Sequence, residues 1–273
     1  MEARFANPPE ENITGFIESQ IPNLPLSYWE ENAEGQRMEL NGSCAKMPNP
    51  MGLRYNNLYW QEVVTSNFTL YLYAAYLDVR KGNTEPAVVR LLGMTDKLKP
   101  RVSIFCQLWF ENSNQPVLSK VTLFRYLWVF GDGGGSGNPP TNDLQPYLLT
   151  CPIPAEHSNR TPVLVSVTEG ACDTATTLLK IIYNTPQQTE SKKNFAVCVK
   201  GLDMPDDESV RLAEWIELVI AMGADKVFFY MYEVHPNVAR LLQKYTADSK
   251  IDIRPISLPG PQPNLVRLSY GAL

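Results

Sequence analysis

Few residues of this chain are of a type that does chemistry, and their spacing excludes the commonest engines. There are two histidines, His157 and His235. A Ser-His-Asp or Cys-His relay would have to use one of them. His157 sits among Pro and Asn in an expected loop. His235 directly precedes Pro236, where a residue that begins a helix is favoured over a ligand. The five cysteines, Cys44, Cys106, Cys151, Cys172 and Cys198, contain no C-x-x-C pair, so structural zinc is not expected. They read either as five buried free thiols or as two disulfides with one thiol left over, and Cys198 is expected buried and reduced in mid-strand. No two Asp residues stand as D-x-D, the spacing that would grip a hard divalent cation on a phosphate. No catalytic residue and no metal ligand is therefore assigned.

Three residues remain as candidates for ligand binding, Lys200, Tyr232 and Glu233. The Lys200 ammonium suits a nucleotide phosphate or base, and equally a solvated position at a strand end. The Tyr232 ring can stack on a planar base or cover a helix. Glu233 accepts N–H or O–H bonds. Glu214 and Glu217, three apart on an expected helix, are assigned to a solvated face with Arg211. The glycine-rich stretch 131–137 is not a phosphate loop. It lacks the G-K-[ST] ending, and Pro139 and Pro140 follow where a helix N-terminus would have to stand.

The elements that must position these groups lie in 195–258. Short apolar runs at 195–200, 226–232 and 250–255 alternate with helical patterns, which predicts βαβ units on a parallel sheet. The first helix has Asp203, Asp206, Asp207 and Glu208 at its start, with Pro205 near its first turn. Its apolar face is Leu212, Trp215, Ile216 and Val219, and Gly223 ends it. The second helix starts at Pro236 and buries Val238, Leu241, Leu242 and Tyr245. Such sheets bind ligands outside the carboxyl ends of their strands. The stretches to examine are 200–203, 232–235 and the residues after Arg254. A dinucleotide-binding Rossmann site is excluded, because the turn 200–205 has a single Gly.

The strings FAVCVKGLD at 195–203, EWIELVIAMGADKVFFYMYEVHPNV at 214–238 and IDIRPISLPG at 251–260 resemble the opening of the catalytic domain of glycosyltransferase family 92. Members show a run like CVKPL, then EWIE and LGADKV, then a strand ending in a Pro-rich turn. Weaker likeness runs through YAAYLDVR, VRLLGM and PYLLTCPIP upstream. The resemblance implies a sugar transferase of GT-A type that moves a hexose, galactose in the first instance, from a nucleotide-sugar donor, a UDP-sugar, to a glycan acceptor. It also implies a divalent metal, Mn²⁺, and a membrane-anchored place in the Golgi. An acidic residue near Glu233 would hold the uracil or ribose. The chain departs from the pattern in three ways: Gly201 replaces the usual Pro, Met231 stands where members have Asp, and D-x-D is missing. The expectation is the front part of such an enzyme, itself inactive and binding no metal tightly. A non-catalytic luminal carbohydrate-binding or interaction protein is the alternative.

The 273 residues, 44% hydrophobic with a net charge of -5, are enough for one or two domains with a sizeable core. No basic block points to nucleic acid. No apolar run reaches membrane-spanning length, and the acidic start is unlike a signal peptide. Residues 1–55, rich in Pro, Asn and Glu, are expected to be an extended or partly disordered lead-in. Period-two alternation over 56–184 predicts an antiparallel β-sandwich-like module. Within it Phe124, Tyr126, Trp128 and Phe130 form an aromatic stripe, assigned to the sandwich core in preference to a sugar platform. Residues 184–194 are a polar linker, and 195–273 form the incomplete transferase domain. The fold class expected is thus an α+β two-part chain, the sandwich-like module followed by the first βαβαβ units of a GT-A parallel sheet. N-x-S/T triplets at Asn12, Asn41, Asn67 and Asn159 favour a secretory-pathway lumen and glycosylation there.

Overall fold

The computed structural model describes residues 13–21, 23–31, 44–80, 87–97, 101–111, 113, 115–126, 144–183 and 195–260. They form two compact units divided near residue 185, with 258–260 returning to the first.

The first unit is built on one ten-stranded mixed sheet. Its strands are β1 (Tyr55–Asn57), β2 (Trp60–Val64), β3 (Thr69–Asp78), β4 (Val88–Thr95), β5 (Phe105–Phe110), β6 (Val117–Lys120), β7 (Leu123–Tyr126), β8 (Gln145–Pro152), β9 (Pro162–Thr168) and β10 (Leu179–Ile182). The order is β6-β5-β9-β10-β3-β4-β8-β7, with β2 also on β3 and β1 on β2. Long β3 takes two successive partners on one side: Thr69–Leu72 pair with β2, while Ala75 and Tyr76 pair with β10. That last pairing is parallel, so the wholly antiparallel module expected for 56–184 is corrected to a continuous mixed sheet. Local alternation marks each strand, but it carries no information about partner or direction.

The sheet curls. Cys106 on β5 and Cys151 on β8 are five positions apart in the strand order, yet they form a disulfide with Cα atoms 6.2 Å apart. Leu70, Leu72, Leu91 and Leu149 from one half thereby meet Leu108, Phe110, Val165 and Val167 from the other in one core. Gln61 is fully buried, and its side chain bonds to the backbone of Leu178, just before β10. Its Oε1 accepts from Leu178 N at 2.7 Å, and its Nε2 donates to Leu178 O at 2.8 Å. A buried amide left without those partners would be costly, so the position is specified by hydrogen bonding.

The described residues between 13 and 54 are not the extended lead-in expected there. Among them are α1 (Ile13–Gln20), α2 (Leu26–Glu31) and a 3-10 turn at Pro50–Gly52. Trp29, with Leu24, Leu26, Tyr28, Met47 and Leu53, covers Trp109, Leu164 and Leu178 on the outer side of β5 and β9. Strand β5 is therefore buried on both faces, and a second disulfide, Cys44–Cys172, ties this covering segment down. Of the aromatic stripe, Phe124 packs 4.5 Å from Tyr147 in the core. Trp128 and Phe130 lie outside the described residues, as do Asn12, Asn41 and the glycine-rich stretch.

The second unit is a three-stranded parallel sheet, β11 (Ala196–Met204), β12 (Lys226–Val234) and β13 (Ile251–Pro255), in sequential order. Helices α3 (Ser209–Ala221) and α4 (Pro236–Thr246) make the two crossovers. With strands in sequential order, right-handed crossovers put both helices on the same face. Val227, Phe229 and Ile251 are buried beneath Leu212, Ile216, Val219, Val238 and Leu242. The alternate residues Cys198, Phe228 and Asp252 form a cross-strand row on the other face. This corrects the burial expected for Cys198: the thiol is free, and it is exposed because the helices cover only one side. Helix α3 ends in a Schellman turn. Gly223, at φ +97°, donates to Ile220 O at 2.9 Å, and Ala224 donates to Val219 O at 3.2 Å. The helix starts four residues later than its acidic run suggests. Glu208 is its N-cap, Asp203 belongs to β11, and Pro205 precedes the helix. No helix among the described residues is long and apolar enough to cross a membrane.

Candidate functional site

The carboxyl edge of the small sheet collects all three binding candidates through two compensating irregularities of register. Val199 pairs with Phe229 and Leu202 with Met231, so Lys200 and Gly201 together oppose the single residue Tyr230. Then Leu202 pairs with Met231 and Met204 with Val234, so Tyr232 and Glu233 together oppose the single residue Asp203. Each strand contributes one extra residue, and the pairing returns to step by Met204. Such bulges interrupt strict alternation and re-aim the side chains within them. Strand β11 runs through Lys200 to Met204, whereas the sequence pattern ends it at Lys200.

Glycine at 201 is required by close approach. A Cβ there would lie 2.1 Å from Tyr232 Cε2, so the tyrosine ring rests on the bare backbone of β11. The ring is still 36% exposed, enough to leave part of it open to a ligand. Burial, and then the negative charge of Asp203, push the Tyr232 phenol above its ordinary value, which keeps it a neutral hydroxyl. Lys200 and Glu233 are both exposed. Gly201 was visible in the sequence only as a departure from a familiar string. A glycine within a strand pattern is the signal for a bulge or a close contact.

Below this edge the loop before α3 is fastened to the start of α4. His235 caps α4, its Nδ1 accepting from Asn237 N at 3.2 Å, and its own N–H donates to Met204 O at 2.7 Å. Asn237 Nδ2 donates to Asp207 Oδ2 at 2.5 Å, and Ser209 N donates to Asp207 Oδ1 at 3.2 Å. Hydrogen bonds from Ser209 and Asn237, with a smaller contribution from His235, hold the Asp207 carboxyl down to about 2. The same His235 Nδ1 lies 3.7 Å from Asp207 Oδ1. The capping bond supports the helix-start reading of His235. Periodicity did not reveal the network, because its members are spread over thirty residues and meet only when the two crossovers pack. Farther along the helices, Glu217 accepts from Tyr245 OH at 2.5 Å, and Arg211 pairs with Glu208 at 3.4 Å instead of with Glu214 or Glu217.

Among the described residues no three of His, Cys, Asp and Glu converge on a common point. His157 is likewise remote from any such cluster, its ring 5.7 Å from that of Phe110 in the first unit.

No curated protein and no solved structure matches the chain. Residues 193–271, the stretch that holds β11 through β13 and their bulged carboxyl edge, match the family model of Glycosyltransferase family 92.

Proposed function

We propose that this protein takes part in sugar transfer. Its small parallel sheet receives the nucleotide end of a nucleotide-sugar, a UDP-hexose such as UDP-galactose, whose sugar goes to a glycan acceptor in the Golgi lumen. The observation that supports this reading is the placement of Lys200, Tyr232 and Glu233 in two successive bulges of neighbouring strands, at the strand end where parallel α/β sheets bind ligands, within the segment that matches the family. In this arrangement Tyr232, backed by Gly201, offers a ring face to the base. Lys200 supplies positive charge for the diphosphate. Glu233 accepts from the base N–H or the ribose hydroxyls. These are binding and orienting roles. The family's Mn²⁺ would neutralise the diphosphate, but the described residues hold no cluster of ligands that fits it.

Calorimetric titration of the full chain with UDP and with UDP-galactose tests the reading. Saturable binding is expected, weakened at least tenfold in Glu233→Ala, which corresponds to about 1.4 kcal/mol. Absence of saturable binding to the wild-type chain, or equal affinity in the variant, would refute the assignment.

A further inference from the structure

We infer that the first unit is an N-glycosylated module, modified at Asn67 and Asn159. Both asparagines are exposed, and among the described residues neither side-chain amide has a hydrogen-bond partner. Asn67 stands in the β2–β3 hairpin turn, which is held from within. Thr65 Oγ1 accepts from Asn67 N at 3.3 Å and from Phe68 N at 3.0 Å, and Phe68 is buried. Ser66, the residue before it, donates through N to Glu169 Oε2 at 2.7 Å and through Oγ to Glu169 Oε1 at 2.5 Å. The turn is thus fixed on both sides of an outward-facing amide. Asn159 follows the 3-10 turn Ala155–His157. Its neighbour Arg160 is anchored by N donating to His157 O at 3.0 Å and by its guanidinium 4.6 Å over the Phe110 ring.

The two positions do not compete for space. Ser66 is bonded to Glu169 just past one end of β9, and Asn159 lies just before the other end. Seven residues of extended strand separate them by about 23 Å at 3.3 Å per residue. The disulfides Cys44–Cys172 and Cys106–Cys151, both in this unit, give independent support. Disulfides persist in oxidising compartments, among them the lumen in which asparagine glycosylation takes place.

The reaction is a transfer from a polyprenyl-diphosphate-linked oligosaccharide. The side-chain amide nitrogen bonds to the anomeric carbon and loses a proton. The carbon–oxygen bond to the diphosphate breaks, and polyprenyl diphosphate leaves with the electron pair. Thr69 and Thr161 supply the hydroxyl two residues on that makes each asparagine an acceptor.

The full chain, preceded by a cleavable signal sequence and secreted from a eukaryotic cell, provides the test. Peptide mapping after peptide-N-glycosidase is expected to find Asn67 and Asn159 converted to Asp, and Asn67→Gln and Asn159→Gln are each expected to remove one glycan from the intact mass. Thr69→Ser keeps the acceptor and Thr69→Val removes it with little change of shape, which separates loss of modification from failure to fold. Unmodified Asn67 or Asn159 in the secreted wild-type chain would overturn the inference at that position.

Discussion

Removal of the Cys44–Cys172 disulfide by the double substitution Cys44→Ser, Cys172→Ser is expected to destabilise the first unit by several kcal/mol. Both cysteines are exposed, so the replacement leaves no cavity and the crosslink is what is lost. The bond closes a sequence separation of 128 residues. The chain-entropy relation assigns such a loop about 4.9 kcal/mol at 25 °C, and the 45-residue separation of Cys106–Cys151 about 4.0. Measured disulfides deliver less than this relation as often as not, so about 2–5 kcal/mol is the expected range. With a urea slope of about 2 kcal/mol per molar, the unfolding midpoint falls by about 1–2.5 M. Trp29 and Trp109 report the transition, since they share the cluster over which the Cys44 segment lies. A thiol titration of the denatured, unreduced protein fixes the starting point. One reactive thiol, Cys198, is expected, and it is also accessible in the native protein. Five reactive thiols, or a midpoint unchanged in the double variant, would refute the pairing and the entropic argument together.

Two further predictions concern the second unit. Gly201→Ala sets a methyl group against the Tyr232 ring and is expected to cost about 1–3 kcal/mol of local stability. Hydrogen exchange of β11 and β12 peptides reads that loss. Adding Tyr232→Ala should abolish the penalty, whereas strictly additive effects would show that the contact is not what excludes a side chain. For Asp207, a folded value near 2 against an ordinary 3.8 means that its hydrogen bonds favour the folded state fully above about pH 4, and that this contribution is lost as pH falls toward 2. The side-chain carbon resonance of Asp207 is expected to titrate near 2. Asp207→Asn should flatten the acid-side decline in protection at the start of α4, and titration near 3.8 would contradict the network.

Much of the second unit was legible in the sequence, because its determinants are local. A helix shows its buried face at 3.6-residue spacing, as Leu212, Ile216 and Val219 do, and Gly223 ends it by accepting a backbone angle that side chains resist. Apolar runs separated by such helices leave few arrangements besides neighbouring parallel strands. Even there, periodicity placed Cys198 in a strand without saying which face the helices would cover. The bulges in which Lys200, Tyr232 and Glu233 stand were not legible either, because register belongs to a pair of strands and not to one of them.

In the first unit the division between local and long-range information is sharper. Alternation of Val163, Val165 and Val167 marked the strand Pro162–Thr168 from the residues alone, because successive side chains of a strand point to opposite faces. The parallel join of β10 to β3, the curl that sets Cys106 against Cys151, and the packing of Trp29 over Trp109 rest on contacts between residues 45 to more than 100 positions apart. Burial is the same to a side chain whichever distant partner provides it. The sequence of this protein therefore determined which residues seek an interior, and only the tertiary structure decided which of them share one.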